Sequence, residues 1–418
     1  MSDPLLTVSD ASTDVGADRP SGLIAPDCRH YVGVRPCAAN RLCRGCAHYA
    51  PYRQRVCVIK LGALGDVIRT LCILPELRRR YPEAEVTWVT RANAARMIEG
   101  HPGIDRVLAF DAGTCMRLGA EWHDVVICLD KEAEPAALAT SLPAATKLGF
   151  ALSEWGTPVP GNDAAEACFV LGLSDRLKFA ENRKSYPQLA YEALGWVYDG
   201  QRYELALGAD DAAEAKRELG AKGWTPERLT LGVNVGAGAM FANKIWPAAR
   251  MRQLLERIHQ VYPSVQVVLL GGVEERSVME ELHGALGWTV HGGWDHDERG
   301  FLGLIDLCDV VFSGDTMAMH AAIARQRGVV AWFGPTCEQE IDLFGLGEKL
   351  IAETGCSPCY KRVCDQGDAC VGSVSIEDTV SAIGRVMSQH GGTARVKLPA
   401  EMEAVRSLVA QVEWRAAG

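Results

Sequence analysis

The chain has 418 residues, of which 48% are hydrophobic and 23% are charged, and this composition is typical of a globular protein. Its 43 lysines and arginines against 53 acidic residues give a formal net charge of −10, which excludes an overall basic field for nucleic acid. No apolar run approaches the ~18–20 residues that would cross a bilayer, and the N-terminus lacks the basic start and apolar core of a secretory signal. We therefore expect a cytoplasmic protein of about two to four domains.

The chain before residue 55 differs in composition from the rest. Residues 1–27 are polar and rich in Ser, Asp and Pro, which predicts a flexible N-terminal tail. Residues 28–54 contain four cysteines and predict a small cysteine-rich knuckle.

A first α/β domain is predicted over residues 55–200. It opens with the strand RVCVIKLG, whose lack of alternation is typical of a parallel strand that is buried on both faces. The glycine loop GALGD and a helix, VIRTLCILPELRRRYP, come next, and the strands AEVTWVT, IDRVLAFD and HDVVICLD follow. Strands that alternate with helices predict a doubly wound parallel sheet.

A second domain of similar size is predicted over residues 201–390. Its strands are LTLGVNVGAG, SVQVVLLGG, CDVVFSGD and VVAWFGPT, and the amphipathic helix PAARMRQLLERIHQVYP lies between the first two. A C-terminal helix is predicted for residues 391–418. Because ligands of open α/β sheets bind at the carboxyl ends of the strands, two such domains predict a shared central cleft.

The first glycine loop is a candidate site. Gly62 and Gly65 would let a substrate approach the backbone, and the helix that follows offers free N–H groups. Asp66 is either an ordinary acidic residue of a first helical turn or a general base that removes a hydroxyl proton. Lys60, at the strand end, is either a surface lysine or a cation that steadies this carboxylate or a phosphate.

A nicotinamide-dependent oxidoreductase does not fit this loop. Gly62 and Gly65 do not have the G-x-G-x-x-G spacing. The second strand ends in Thr90 and Arg91, where a dinucleotide-binding fold places an acidic residue on the ribose.

Loops after the strands of the second domain predict a nucleotide site. Gly236 and Gly238 form a second glycine turn, and Lys244 precedes a helix begun by Pro247, so this lysine is either exposed or delivers a cation to the cleft. A later loop combines a glycine turn, a carboxylate and hydroxyl at a helix start and a histidine that is either structural or functional: Gly314, Asp315, Thr316, Met317 and His320. Backbone N–H groups at such a helix start suit a diphosphate.

Eight of the fifteen cysteines form two tight sets. The N-terminal set has the spacing C-x8-C-x5-C-x2-C and comprises Cys28, Cys37, Cys43 and Cys46. The C-terminal set, within residues 356–370, has the spacing C-x2-C-x4-C-x5-C and comprises Cys356, Cys359, Cys364 and Cys370. Either set suits structural zinc or iron, and disulfides or free thiols are the alternatives. Each set would hold its own ion, or both would close one site.

The motifs together resemble the ADP-heptose:lipopolysaccharide heptosyltransferase family, glycosyltransferase family 9. The resemblance runs from about residue 55 to 390 and rests on VIKLGALGDVIRTLCILPELRRRYP, HPGIDRVLAFD, NVGAGAMFANKIWP, VVLLGGVEE, FSGDTMAMHAA and VAWFGPT. It implies a GT-B fold, two Rossmann-like doubly wound domains facing a central cleft, here with small cysteine-rich additions. It also implies an inverting transfer that needs no divalent metal, with the acceptor on the first domain and an ADP-sugar mainly on the second.

The resemblance also implies roles for individual residues. Asp66 falls on the catalytic base, Lys60 on the lysine before the first loop, and Lys244 on the lysine of the K-x-W-P motif. Glu275 falls on a donor-binding acidic residue. The segment around the nucleotide diphosphate and ribose falls on Gly314, Asp315, Thr316 and His320.

We therefore expect a transferase that moves a heptose or related sugar from an ADP-sugar to a hydroxyl of a glycan, glycolipid or other acceptor. The alternatives are a GT-B transferase for a different nucleotide sugar and a catalytically silent metal- or redox-responsive binding protein. Arg78, Arg79 and Arg80 suit peripheral contact with anionic lipid at the inner membrane face or, equally, an ordinary helix C-terminus.

Overall fold

The structure, a computed structural model, describes residues 19–237, 244–361, 364–367 and 369–390. Most of the predicted N-terminal tail, the predicted C-terminal helix over 391–418 and the candidate Gly238 lie outside the described residues.

The first unit is built on a six-stranded sheet in the order β3-β2-β1-β4-β5-β6. All neighbouring pairs are parallel except β5 and β6, which are antiparallel. Its strands and helices in chain order are β1 (Gln54–Ile59), α1 (Leu64–Thr70), α2 (Leu74–Arg80), β2 (Ala84–Thr90), α3 (Ala92–Ile98), β3 (Arg106–Ala109), α4 (Ala112–Gly119), β4 (His123–Cys128), α5 (Ala133–Ser141), β5 (Ala144–Leu152), β6 (Pro158–Pro160), α6 (Glu166–Leu171) and α7 (Tyr186–Ala193).

The second unit is built on a six-stranded sheet in the order β12-β11-β10-β7-β8-β9, with every pair parallel. Its strands and helices in chain order are α8 (Ala209–Ala221), β7 (Thr230–Asn234), α9 (Ala248–Val261), β8 (Gln266–Leu270), α10 (Arg276–Ala285), β9 (Val290–His291), α11 (Glu298–Asp306), β10 (Val310–Gly314), α12 (Met317–Ala324), β11 (Gly328–Phe333), β12 (Gly347–Ile351), α13 (Ala369–Ser373) and α14 (Ile376–His390).

Both sheets have the doubly wound strand order that the alternation of strands and helices predicts. The strand order reverses direction between β1 and β4 in the first unit and between β7 and β10 in the second. Ligands of such sheets bind at this reversal, beyond the carboxyl ends of the strands. Both central strands are buried there, and each contains an apolar run without alternation, VCVI in β1 and LGV in β7.

The helix predicted after the first glycine loop is broken in the structure. It consists of α1, a 3₁₀ turn at Leu71–Ile73 and α2, which carries Pro75 in its first turn. A proline has no N–H to donate and its ring clashes with the carbonyl four residues earlier, so one continuous α-helix cannot pass through Pro75. The consequence is a short α1 that ends close behind the glycine loop.

The cysteine-rich knuckle precedes β1 and packs at the amino end of the first sheet. Cys28 forms an isolated antiparallel bridge with Pro51, and the Tyr52 amide donates to the carbonyl oxygen of Asp27 at 2.8 Å. The guanidinium of Arg29 lies 5.0 Å from the centre of the Tyr52 ring. The knuckle therefore lies at the amino ends of the strands, whereas the glycine loop after β1 lies at their carboxyl ends.

The two units meet through α1 and α12, which pack against each other. This contact brings the carboxyl ends of the two sheets face to face, as a central cleft requires. Among the helices of the described residues, none combines the length and the apolar character needed to span a membrane.

Candidate active site

A cavity of about 790 Å³ lies between the two units. Most of its walls come from the loops after β1, β7, β8, β9, β10 and β11, that is, from the carboxyl ends of strands in both sheets. Residues 63–66 form part of the first wall. Residues 236–237, 271–275 and 315–318, together with Asn234, form much of the opposite one. The predicted cleft is therefore present, and it is large enough for a ligand of the size of a nucleotide sugar.

Asp66 lies in the first turn of α1 and faces this cavity. Its side chain is 37% exposed, and Oδ1 forms an ion pair with Nη2 of Arg69 at 2.7 Å. Burial alone would raise the pKa of Asp66, but Arg69, then Lys60, His320 and Lys244, lower it to about 2. The carboxylate is therefore ionised at neutral pH, as a group that accepts a proton must be.

Lys60 lies beneath the glycine loop rather than in the cavity wall. Its buried Nζ donates to the carbonyl oxygen of Leu129 at 3.1 Å and forms an ion pair with Asp130. The Asp130 carboxylate also accepts from the amides of Leu61 and Gly62. Although burial opposes it, Tyr186, Asp130 and Asp66 raise the pKa of Lys60, so the ammonium stays charged.

Asp130 was missed by the sequence analysis, although a signal was available. It follows β4, and β4 pairs directly with β1, so its side chain had to emerge beside the loop after β1. The Lys60–Asp130 pair fixes that loop, and contact of Lys60 with a ligand stays a prediction.

Packing explains both glycines of the first loop. A Cβ on Gly65 would lie 2.7 Å from Cδ2 of His320, which belongs to the opposite unit. A Cβ on Gly62 would lie 3.2 Å from Oδ1 of Asp130 and 3.4 Å from Nζ of Lys60. Gly65 thus allows the close approach of α1 and α12, and Gly62 lies over the buried ion pair; their placement on an acceptor side stays a prediction.

Lys244, Asp315 and His320 form one polar group on the second unit. Nζ of Lys244 lies 3.0 Å from the backbone oxygen of Asp315 and 3.3 Å from its Oδ2. Nε2 of His320 is 3.8 Å from Oδ1 of Asp315, and Nδ1 is 3.1 Å from the hydroxyl of Tyr203. The sequence predicted Lys244, Asp315 and His320 as site residues, and the structure brings these three side chains together.

Burial and neighbouring charges shift the pKa values of His320 and Asp315. Burial, and then Arg69, lower the pKa of His320 to about 4, so its imidazole is neutral at pH 7. Burial would raise the pKa of Asp315, but Lys244 and His320 hold it below its usual value. The second unit therefore presents an ammonium, a carboxylate and a neutral imidazole to the cavity.

Asn234, which the sequence analysis missed, joins two loops of the second unit. Its Nδ2 lies 2.6 Å from the backbone oxygen of Gly236, 3.1 Å from Oγ of Ser313 and 3.2 Å from Oγ1 of Thr316. Its position at the end of β7, next to β10, is the signal that could have identified it. Met317 begins α12 and lines the same wall.

The remaining predicted residues of this wall are packed closely. Oε2 of Glu275 accepts from the amide of Gly272 at 2.9 Å, and a Cβ on Gly236 would lie 2.2 Å from Cδ of Glu275. A Cβ on Gly314 would lie 2.4 Å from the backbone oxygen of Lys244. A side chain at position 314 therefore requires a backbone shift, whereas one at position 236 requires that the Glu275 side chain move away.

Residues 115–369 match the sequence model of glycosyltransferase family 9 (heptosyltransferase). The chain belongs to this family. It is 24% identical over 349 residues to lipopolysaccharide heptosyltransferase 1 of Pseudomonas aeruginosa, a match that covers 74% of this chain and 87% of that protein. It is also 24% identical over 314 residues to lipooligosaccharide heptosyltransferase 2 of Haemophilus influenzae, covering 68% and 85%.

Solved structures resemble the fold. A family 9 glycosyl transferase from Veillonella parvula superposes with a TM-score of 0.63 at 18% identity, over 81% of this chain and 98% of that chain. The E. coli ADP-heptose lps heptosyltransferase II superposes with a TM-score of 0.59 at 16% identity, over 81% and 100%. The predicted GT-B architecture is therefore confirmed.

This family 9 protein carries its two cysteine sets on different units, and none of the fifteen cysteines forms a disulfide. The C-terminal set surrounds a small cavity of about 20 Å³, which Lys361 and Asp365 also line. Oγ1 of Thr354 lies 3.7 Å from Sγ of Cys356 and 3.6 Å from Sγ of Cys370. The knuckle lies at the amino end of the first sheet and this set beyond β11 and β12, a placement that favours two separate sites over one shared site.

Across the parts of the chain that the structure describes, no group of three or more His, Cys, Asp or Glu side chains has the arrangement of a metal site. Metal binding by the cysteines stays a prediction.

The three arginines at the end of α2 are engaged within the protein. Arg79 and Arg80 both form ion pairs of 2.6 Å with Glu76, and Arg78 forms one of 2.6 Å with Asp105. These pairs favour the ordinary helix-end interpretation of the arginine run over contact with lipid.

Proposed function

We propose that the protein is an inverting glycosyltransferase that moves a heptosyl group from an ADP-heptose to a hydroxyl of a glycan or glycolipid acceptor. The observation that carries the proposal is the position of the Asp66 carboxyl group on one side of the cavity, paired with Arg69 and opposite the Lys244–Asp315–His320 group on the other. Membership of family 9 and relatives named as lipopolysaccharide and lipooligosaccharide heptosyltransferases support the choice of sugar and acceptor.

In the proposed reaction, Asp66 removes the proton of the acceptor hydroxyl as its oxygen attacks the anomeric carbon. The bond between that carbon and the β-phosphate oxygen breaks, and ADP leaves with the electron pair on the opposite face. Such a displacement inverts the configuration of the sugar. A positioned base of this kind typically accounts for ~10²–10⁴-fold in rate.

The second unit would hold the nucleotide diphosphate. The ammonium of Lys244 lies 3.3 Å from Asp315 in the cavity wall, where it could also bind a phosphate oxygen. The residues at the start of α12 line the same cavity and would offer their backbone amides to the diphosphate. These charges would offset the negative charge that develops on ADP, so the proposal requires no divalent metal for transfer. Glu275 and Thr316 line the same wall and are the residues we assign to the donor.

We also propose that the C-terminal cysteine set binds a structural zinc or iron ion. Four thiols are a donor set that both metals accept, and here all four line one small cavity. They do not have the arrangement of a metal site in the described residues, so the proposal requires that they move together around the ion. The ion would tie together a segment that contains little regular structure.

Two measurements test the function. Calorimetric titration of ADP, UDP, GDP and NAD⁺ should show preference for ADP, and Lys244→Ala and Asp315→Ala should both weaken that binding. Tighter binding of UDP or GDP would favour a transferase for a different nucleotide sugar, and failure of all four to bind would favour a binding protein.

The second measurement is transfer from ADP-heptose to lipopolysaccharide that lacks heptose. Asp66→Asn should bind ADP like the unmodified enzyme and lose at least ~10²-fold in turnover. Full activity of this variant would overturn the assignment of the base.

A further inference from the structure

We infer that Arg69 is a positioning residue for Asp66 and that Glu340, from the opposite unit, holds Arg69 in place, so that the base is correctly set only when the two units are closed. The inference rests on the proposed function, in which Asp66 is the base. Neither Arg69 nor Glu340 was a candidate from the sequence, although both line the cavity.

Arg69 is held on three sides. It lies one turn after Asp66 on α1, and Nη2 is 2.7 Å from Oδ1 of Asp66. Nη1 is 3.8 Å from Oε2 of Glu340, and the guanidinium carbon lies 3.9 Å from the centre of the Tyr186 ring. The side chain is only 15% exposed, so the guanidinium and the Asp66 oxygen that it holds have little freedom to rotate.

Glu340 connects the units because its partners lie on the other one. Its side chain is 12% exposed and lies between Arg69 and Lys178, whose Nζ is 3.7 Å from Oε1. Lys178 in turn lies 4.1 Å from the centre of the Tyr360 ring, which stacks on Phe179 at 5.3 Å. The first unit supplies Arg69, Lys178 and Phe179, and the second supplies Glu340 and Tyr360. All four contacts therefore cross between the units, and separation of the units would break them.

The charged groups around Asp66 come from both units. Lys60 and Arg69 approach it from the first unit, and His320 and Lys244 from the second. Asp315 and Glu340 face Arg69, and the Tyr186 ring lies beneath it. Of the groups that lower the pKa of Asp66, Arg69 has the largest effect.

These positions predict different consequences for the two charges. Arg69→Gln removes the cation that most favours ionised Asp66, so burial raises the pKa of the carboxyl and the acid limb of kcat/KM moves to higher pH. Glu340→Gln leaves the Asp66–Arg69 ion pair and removes an anion, so the acid limb should not move upward. Both variants should lose about 10²-fold in kcat at neutral pH, the scale expected for a ~1 Å misplacement of a reacting group.

The experiment measures pH profiles of kcat/KM for the acceptor with unmodified enzyme, Arg69→Gln, Arg69→Lys and Glu340→Gln. Arg69→Lys retains the charge and should restore the acid limb at least in part. Arg325→Gln is the matched control, because Arg325 forms an ion pair of 2.7 Å with Asp306 at similar exposure away from the cavity. This control should leave both kcat and the profile unchanged.

The same substitutions in the Asp66→Asn background distinguish the positioning role of Arg69 from the proposed role of Asp66 as the base. If Arg69 acts through the base, Arg69→Gln should cause no further loss of turnover there. An additional loss in that background, or an acid limb in Arg69→Gln that coincides with that of the unmodified enzyme, overturns the inference. High activity of Asp66→Asn alone would instead overturn the proposed function.

Discussion

Gly65→Ala tests the closeness of the two units at the site. The added Cβ would lie 2.7 Å from Cδ2 of His320, whereas two carbon atoms in contact are ordinarily ~3.5–4.0 Å apart. The substitution therefore has to displace α1 from α12 by about 1 Å, and neither neighbour can move freely because His320 is buried and near Tyr203.

Overpacking of this kind typically costs about 1–3 kcal/mol in the free energy of unfolding. A displacement of about 1 Å between Asp66 and the donor wall should also lower kcat/KM by about 10²-fold. We expect both effects in Gly65→Ala, measured by denaturant unfolding and by transfer from ADP-heptose.

Gly284→Ala is the matched control, because it lies within α10 and a Cβ there meets nothing within 4 Å. Alanine is favoured over glycine in a helix interior, so this variant should be active and at least as stable as the unmodified protein. If Gly65→Ala has the same kcat/KM and the same stability as the control, the close approach of α1 and α12 is not a requirement of the site.

Three further predictions concern stability and metal content. Lys60→Met should cost ~3–5 kcal/mol in denaturant unfolding because it leaves Asp130 buried without its partner, and Lys60→Met/Asp130→Leu should recover part of that loss. The pKa of His320 falls from its usual 6.5 to about 4 in the folded protein, so the unfolded chain binds the proton more tightly. The free energy of unfolding should therefore decrease by about 3 kcal/mol as pH falls from about 6.5 to about 4. His320→Gln should remove this dependence of stability on pH. Elemental analysis should find about one equivalent of zinc or iron per chain at the C-terminal cysteine set, lost in Cys359→Ser and retained in the control Cys115→Ser; equal metal content in both variants would contradict the assignment.

The sequence predicted the sheets and the loop positions well because apolar parallel strands and glycine turns leave clear patterns. It placed Asp66 in the first turn of a helix and Lys244, Asp315 and His320 in one site, and the structure shows these positions. The break at Pro75 was present in the letters but was outweighed by the helical periodicity around it.

Partners that are distant in the chain were harder to predict. Asp130 lies 70 residues after Lys60, and Glu340 follows Arg69 by far more, so no local spacing connects either pair. Gly65 was interpreted through a ligand, whereas its nearest constraint is a histidine of the other unit. Such contacts depend on how two separately folded sheets dock, which periodicity within one sheet does not encode.

The amide of Asn234 has a consequence for motion. Because one side chain lies within hydrogen-bond distance of the Gly236 backbone, Ser313 and Thr316, it couples the first residues of the loop after β7 to the loop after β10. A ligand fragment that orders one loop reduces the conformational entropy of the other before anything touches it. The sugar and nucleotide portions of a donor should then bind cooperatively, each more tightly when joined than the separate fragments would suggest.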